Sequence, residues 1–396
     1  MMRTNLLKHA ALPLILSTAL AIPLAAHAQI SPTARNYEAH PLALNGVGCR
    51  VSDIDAGMAV GWCDTATGRR AFAWTEATGV MDLGTLGGTT ALAVSTRNGR
   101  AVGSSALSGD LTENAMAWSL STGMLDLGSL GGPSTLAQAT AGNVVVGVGV
   151  IDGWGHAFRW TPSTGLVALA ELPGSTVSVA FDVDGNLIAG YAQSNASWQG
   201  NRPLVWRTDG TLIDPIGAPL ESCGNHVCGS GAATAVRDGL VVGYSSNAAE
   251  LTHAFAWSEA GGLVDLGVVA GATESAAWDT DDGSVVGQLS GPLSTSSTRA
   301  FIWTAASGMK TITPDTVTAV ATSITNGRVV GWYVSPNIGV KPFLWTSRRG
   351  VVDVNPRGFN NGSRPVGIDA AGRIAVVYED ENPANTKSVV LVPRGL

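Results

Sequence analysis

The chain has 396 residues, 50 of them glycine and 12 tryptophan, with 45% apolar and only 13% charged residues. That apolar content excludes a disordered chain, and the lack of a Gly-X-Y period excludes a collagen-like one. The formal charge of −7 disfavours nucleic acid and other polyanions as partners.

The N-terminus reads as a secretory leader. Arg3 and Lys8 form a basic segment, an apolar run follows from Ala10 to about Ala25, and Ala26-His27-Ala28 is an A-x-A cleavage site. Residues 1–28 are therefore assigned to a signal peptide cut between Ala28 and Gln29, and residues 29–396 to a single domain. No other stretch approaches a transmembrane length, so the mature chain is expected in the periplasm or outside a bacterial cell, off the membrane and monomeric. Losing Arg3 and Lys8 makes it more acidic still.

Beyond the leader the predicted elements repeat. Pro41–Leu44, before Asn45-Gly46, reads as an outer strand. A hydrophobic strand ending in glycine then recurs after a tight turn, its terminal glycine at Gly61, Gly103, Gly147, Gly190, Gly243, Gly287 and Gly331. Residues 372–377 are a degenerate eighth copy. The turns read Asn98-Gly99, Asp184-Gly185, Asp238-Gly239, Asp282-Gly283 and Asn326-Gly327, and such dipeptides between apolar runs are strong hairpin signals. A strand with large apolar residues at i and i+2 follows: Phe72/Trp74, Met116/Trp118, Phe158/Trp160, Leu204/Trp206, Phe255/Trp257, Phe301/Trp303 and Phe343/Trp345. This spacing puts both side chains on one face. A short outer strand comes next, as in Met81–Gly84, Leu125–Gly128 and Val264–Gly267, and an innermost strand precedes each turn, as in Leu92–Ser95 and Val177–Phe181.

Four antiparallel strands in about 44 residues describe a propeller blade. The expected fold is all-β: an eight-bladed propeller of four-stranded antiparallel blades, with seven as the alternative count. The chain ends after the third strand of the last unit, so the N-terminal strand would complete that blade and close the ring without a free edge.

The units resemble those of bacterial extracellular HAF-repeat proteins. The name-giving tripeptide stands here as His156-Ala157-Phe158 and His253-Ala254-Phe255. Its companion stands as Asp82-Leu83-Gly84-Thr85-Leu86-Gly87-Gly88 and Asp126-Leu127-Gly128-Ser129-Leu130-Gly131-Gly132. Arg70, Asn201-Arg202, Arg299 and Lys341 stand near the histidine's place in other units. The resemblance implies a secreted repeat protein and no common reaction. Val177 to Trp206 also resembles a WD-type blade, but Arg207 follows the tryptophan where that family has Asp.

Four cysteines remain after export, where pairing is the rule. Cys49 and Cys63 flank a turn symmetrically and should form a cross-strand disulfide. Cys223 and Cys228 lie in the longest insertion, with His226 between them. A local disulfide is expected there, the other readings being a labile disulfide or a metal site that lacks a fourth ligand. The Asp-rich turns at Asp53/Asp55, Asp182/Asp184 and Asp279/Asp281/Asp282 would suit calcium, yet none matches a calcium loop and aspartate has local reasons to sit in turns. No cofactor or metal is therefore expected.

Blade order sends the connections between innermost and preceding outer strands, and those between second and third strands, to one insertion-rich face. Trp62, Trp154, Trp198 and Trp332 fall at or after the second strand's end, Tyr191 and Tyr244 take the place of Trp62 and Trp332, and Trp278 also lies outside the repeat position. These six residues (Trp62, Trp154, Tyr191, Trp198, Tyr244 and Trp332) are the candidate ligand-binding set, with inter-blade packing as the competing reading. There is no nucleophile elbow, His-Glu-x-x-His or phosphate loop, so no catalytic residue is assigned. The acids on that face are Asp152, Glu171, Glu221, Glu274, Glu379, Asp380 and Glu381. The expected function is a non-catalytic propeller binding a glycan or protein ligand, and the alternative a glycoside hydrolase or lyase using paired acids.

Overall fold

The structure, a computed structural model, describes residues 31–32, 36–194, 200–213, 231–246, 251–291, 298–335, 339–355, 362–378 and 386–394. No α-helix occurs among them. The strands form seven sheets. Five have four antiparallel strands in consecutive order, a sixth has such a four with the parallel segment Ser31–Pro32 added at its outer edge, and the seventh has eight strands. The innermost strand of each four packs on the three inner strands of the four before it, as in a β-propeller.

Local chemistry sets the hairpins. Asn98, Asp238, Asp282 and Asn326 have φ of 49°, 51°, 45° and 50°, each followed by a glycine at positive φ, the backbone a two-residue turn needs. At the outer turns a hydroxyl does the work: Thr161 Oγ1 accepts the Thr164 amide at 3.2 Å and Thr75 Oγ1 that of Thr78 at 3.2 Å.

The recurring glycine sits in the middle of its strand rather than at its end. Met58–Thr65 and Leu187–Ser194, for example, continue well past Gly61 and Gly190. The cause is a β-bulge that every innermost strand makes opposite this point, as at Val51/Asp53, Ala180/Asp182 and Ala277/Asp279. The bulge drives a backbone carbonyl into the neighbouring strand. A Cβ at Gly243 would lie 2.0 Å from the Ala232 oxygen and 2.9 Å from the Phe255 ring, and Gly287 and Gly331 are enclosed in the same way. Glycine and phenylalanine, two separate sequence signals, are thus one packing unit.

Phe72, Phe158, Phe255, Phe301 and Phe343 are fully buried, each in one apolar cluster with the tryptophan two residues on. Each cluster joins two neighbouring units. Burying one such ring contributes about 2–3 kcal/mol. Trp74, Trp206 and Trp257 are buried, while Trp118, Trp160, Trp303 and Trp345 lie half-buried at the clusters' edges.

The eight-stranded sheet joins the two ends of the described chain. Tyr37–Leu44 pairs antiparallel with Lys387–Pro393 from Tyr37↔Pro393 to Leu42↔Ser388, and meets Val47–Asp55 only at Ala43↔Gly48 and Leu44↔Val47. Cys49 and Cys63 are register partners and form a disulfide. The leader and the Cys223/Cys228 loop lie outside the described residues.

Candidate functional site

The Asp-rich turns join neighbouring units. Asp53 accepts Ser95 Oγ and the Thr96 amide, both at 2.9 Å, with its second oxygen on the Ile54 amide at 2.8 Å. Asp182 takes the Val236 amide at 2.9 Å and Asp279 the Ile324 amide at 2.9 Å. Asp55, Asp184 and Asp281 make a second tier to the amides of Asn98, Asp238 and Asn326. Asp369 takes the Gly57 amide at 2.9 Å across the seam between the chain's two ends. Desolvation pushes the carboxyls of Asp53 and Asp182 up against these hydrogen bonds, and that of Asp279 up to about 6. Carboxylate lone pairs that a calcium ion would use are therefore held by amides, and no group of three or more His, Cys, Asp or Glu suited to a metal occurs among the described residues. Arg97 reaches past the next unit to Asp184 at 2.5 Å and the Val183 carbonyl at 3.1 Å.

The His-Ala-Phe and Asp-Leu-Gly segments complete one another. His253 Nδ1 lies 2.9 Å from Asp265, whose other oxygen accepts the Gly267 amide at 2.7 Å. His156 lies 2.9 Å from Glu171. Where the histidine is missing, Arg70 meets Asp82, Asn114 meets Asp126, Arg299 meets Asp315 and Lys341 meets Asp353. The position needs a donor for an acid on the outer strand or just beyond it, and histidine is one solution. Ser178, Glu171 and His156 form a chain but not a nucleophile–base set. The carboxylate stands in the middle, and the fully buried Ser178 Oγ donates to Glu171 while accepting the Ala157 amide at 2.8 Å. Glu274 accepts from Ser290, and Glu221, Glu379, Asp380 and Glu381 lie outside the described residues.

The six candidate aromatic residues do not share one environment. Trp62 is buried, with the guanidinium groups of Arg50 and Arg69 at 5.7 and 5.5 Å from its ring. Tyr191 packs on Phe181 at 5.4 Å, and Tyr244 meets Trp278 edge-on at 5.6 Å. Arg364 lies over half-buried Trp332 at 5.3 Å. Trp154 is 47% exposed, and Trp198 lies outside the described residues.

A cleft of about 280 Å³ opens between the unit of Val47–Asp82 and that of Gly87–Gly128, lined by Asp64, Arg69, Thr90, Leu92, Ser104 and Glu113 among others. Arg69 Nε donates to Asp64 at 2.8 Å. Burial pushes the Glu113 carboxyl up, Arg69 pulls it down and Asp110 pushes it up again. Sequence reasoning passed over these residues.

No family model matches the chain, and no curated protein matches it. Solved structures do. One of two prolyl endopeptidases is similar with a TM-score of 0.52 and 9% identity, over 85% of this chain and 55% of that one. Prolyl oligopeptidase B from Galerina marginata is similar with a TM-score of 0.51 and 10% identity, over 91% of this chain and 56% of that one. The chain thus spans just over half the length of either enzyme, and at these identities the fold is what is shared. Both are peptide-cleaving enzymes. This corrects the expectation of a non-catalytic binder of glycan or protein ligands on the insertion-rich face, together with its glycoside hydrolase or lyase alternative.

Proposed function

We propose that this chain is a peptidase-related propeller: an exported ring that admits peptides to a catalytic unit lying outside the residues described. The observation that carries this reading is the overlap with two prolyl peptidases, which takes in nearly all of this chain and about half of theirs. The study of one of them gives inter-domain dynamics a role in catalysis and specificity. A propeller standing beside a catalytic unit would contribute to that role here by limiting what reaches it.

The proposal includes eight blades. The eight-stranded sheet counts as two, Tyr37–Leu44 completing the four begun by Ser363–Ile368, since its pairing with Lys387–Pro393 is long and that with Val47–Asp55 is confined to the hairpin end. It also includes export, supported by the leader and by the Cys49–Cys63 disulfide. Kinship with the HAF-repeat proteins is supported by the pairing of His156 and His253 with outer acids.

Antibody depletion of the chain from the exported protein fraction of its source tests the reading. Hydrolysis of quenched proline-containing peptides should change on depletion and return when purified chain is added back. Unchanged hydrolysis in both steps contradicts it.

A further inference from the structure

We propose that Asn45, in the turn linking Tyr37–Leu44 to Val47–Asp55, is a site of spontaneous covalent modification, where the chain closes a succinimide with Gly46 and opens it to aspartate or isoaspartate. The site goes beyond the peptidase reading and does not depend on it.

The reaction needs no reagent but water. The Gly46 backbone nitrogen attacks the side-chain carbonyl carbon of Asn45, a C–N bond closes a five-membered ring, and ammonia leaves with the proton that the Gly46 amide gives up. Water then opens the ring at one of its two carbonyls. One opening leaves a carboxyl group where the side-chain amide stood, and the other moves the peptide link onto the side chain and lengthens the backbone by one methylene. Glycine favours the attack because no Cβ shields its nitrogen, and a Cβ built on Gly46 would meet nothing within 4 Å. Asn45 and Gly46 have φ of 51° and 81°, the backbone of a tight hairpin turn. The nitrogen reaches the side-chain carbon only when that turn opens, so the cost of local opening sets the rate.

Asn45-Gly46, Asn98-Gly99 and Asn326-Gly327 are the Asn-Gly turns among the described residues; Asn361, before Gly362, lies outside them. All three turns are exposed, so water reaches them alike. They differ in how they are tied. The Asn98 amide donates to Asp55 at 2.7 Å, and the Asn326 amide to Asp281 at 2.6 Å, with Asn326 Nδ2 3.5 Å from the Ala370 carbonyl. Both of these turns also cap long ladders, which run from Arg97↔Arg100 to Ala91↔Ser105 and from Thr325↔Arg328 to Ala319↔Tyr333. Among the described residues no carboxylate takes the Asn45 amide, and its hairpin is held only by Leu44↔Val47 and Ala43↔Gly48. Asn45 is thus the turn that opens at least cost. The change is also one the fold tolerates. The pairs from Tyr37↔Pro393 to Leu42↔Ser388 hold the strand before the turn, and the Cys49–Cys63 disulfide holds the strand after it. Conversion therefore marks the joint between the chain's two ends with a new negative charge and leaves the joint closed.

The test is peptide mapping by mass spectrometry of the purified chain during incubation at mildly alkaline pH. Asn45 should convert at least about tenfold faster than Asn98 and Asn326, because a hydrogen bond to a carboxylate opposes the opening of each of those turns. In the reduced and denatured chain the three should convert at similar rates. Asp55→Ala removes the tie on Asn98 and should bring its rate close to that of Asn45. If Asp55→Ala fails to fold, the comparison within the parent decides alone. Four results overturn the proposal: Asn98 or Asn326 converting as fast as Asn45 in the folded chain, no conversion of Asn45 there, the same tenfold order after denaturation, or a folded Asp55→Ala variant in which Asn98 stays slow.

Discussion

Asp279 and Ile324 lie 45 residues apart in sequence and meet across the seam between two sheets, where a carboxylate oxygen accepts the backbone amide at 2.9 Å. Asp53 with Thr96 and Asp182 with Val236 repeat the contact. The seams of this ring are therefore stitched from side chain to backbone as well as packed.

The stitch has a pH signature. The folded carboxyl of Asp279 is raised to about 6 from 3.8, so the native state holds its proton more tightly than the unfolded chain. Its stabilising contribution is fully present below about pH 4 and is lost as pH rises through about 6. The stability difference between parent and Asp279→Asn should shift against the parent by up to roughly 3 kcal/mol over that window. Denaturant unfolding of both proteins at pH 4 and pH 7 reads the change directly, and a difference independent of pH contradicts the assignment.

Gly243→Ala should cost about 3 kcal/mol or more, because the added methyl would meet the Ala232 oxygen at 2.0 Å and the bulge cannot retreat without opening the ladder. Thermal unfolding of the variant measures the loss. A change within about 0.5 kcal/mol, the range of surface substitutions, would show that the carbonyl moves aside.

Replacing Cys49 and Cys63 together by alanine should lower stability by about 2–3 kcal/mol, and reduction of the parent should have a similar effect. The disulfide closes a separation of 14 residues in the unit next to the chain's two joined ends. Comparing denaturation midpoints of the oxidised, reduced and alanine forms checks this.

His156→Arg should fold with stability within about 1 kcal/mol of the parent, since Arg70 meets Asp82 from the same place in another unit. His156→Leu should lose more, because the half-buried Glu171 then keeps only the Ser178 hydroxyl among the partners described. Equal behaviour of the two variants would mean that the donor is immaterial.

The strand order was legible because each repeat solves the same geometric problem with the same residues. Asn-Gly or Asp-Gly turns and Phe/Trp at i and i+2 are local signals, and the disulfide follows from symmetric placement about one turn. Other features needed three dimensions. The bulge that makes Gly243 obligatory is formed by another strand, and the acceptor role of Asp279 depends on an amide in the next sheet. The cleft was hidden because two different units line it, with Glu113 of one near Arg69 of the other. The aromatic residues looked like one set because they share a register position, yet Trp62 is buried while Trp154 is largely open.

The most direct test of the peptidase-related reading is the ratio of cleavage rates for a short quenched proline-containing peptide and a folded protein bearing the same cleavage sequence. It is measured in the chain-depleted exported fraction and again after purified chain is restored. Restoring the chain should raise the ratio in favour of the short peptide, as expected of a ring that limits access to the catalytic unit. The same ratio with and without the chain would contradict the account.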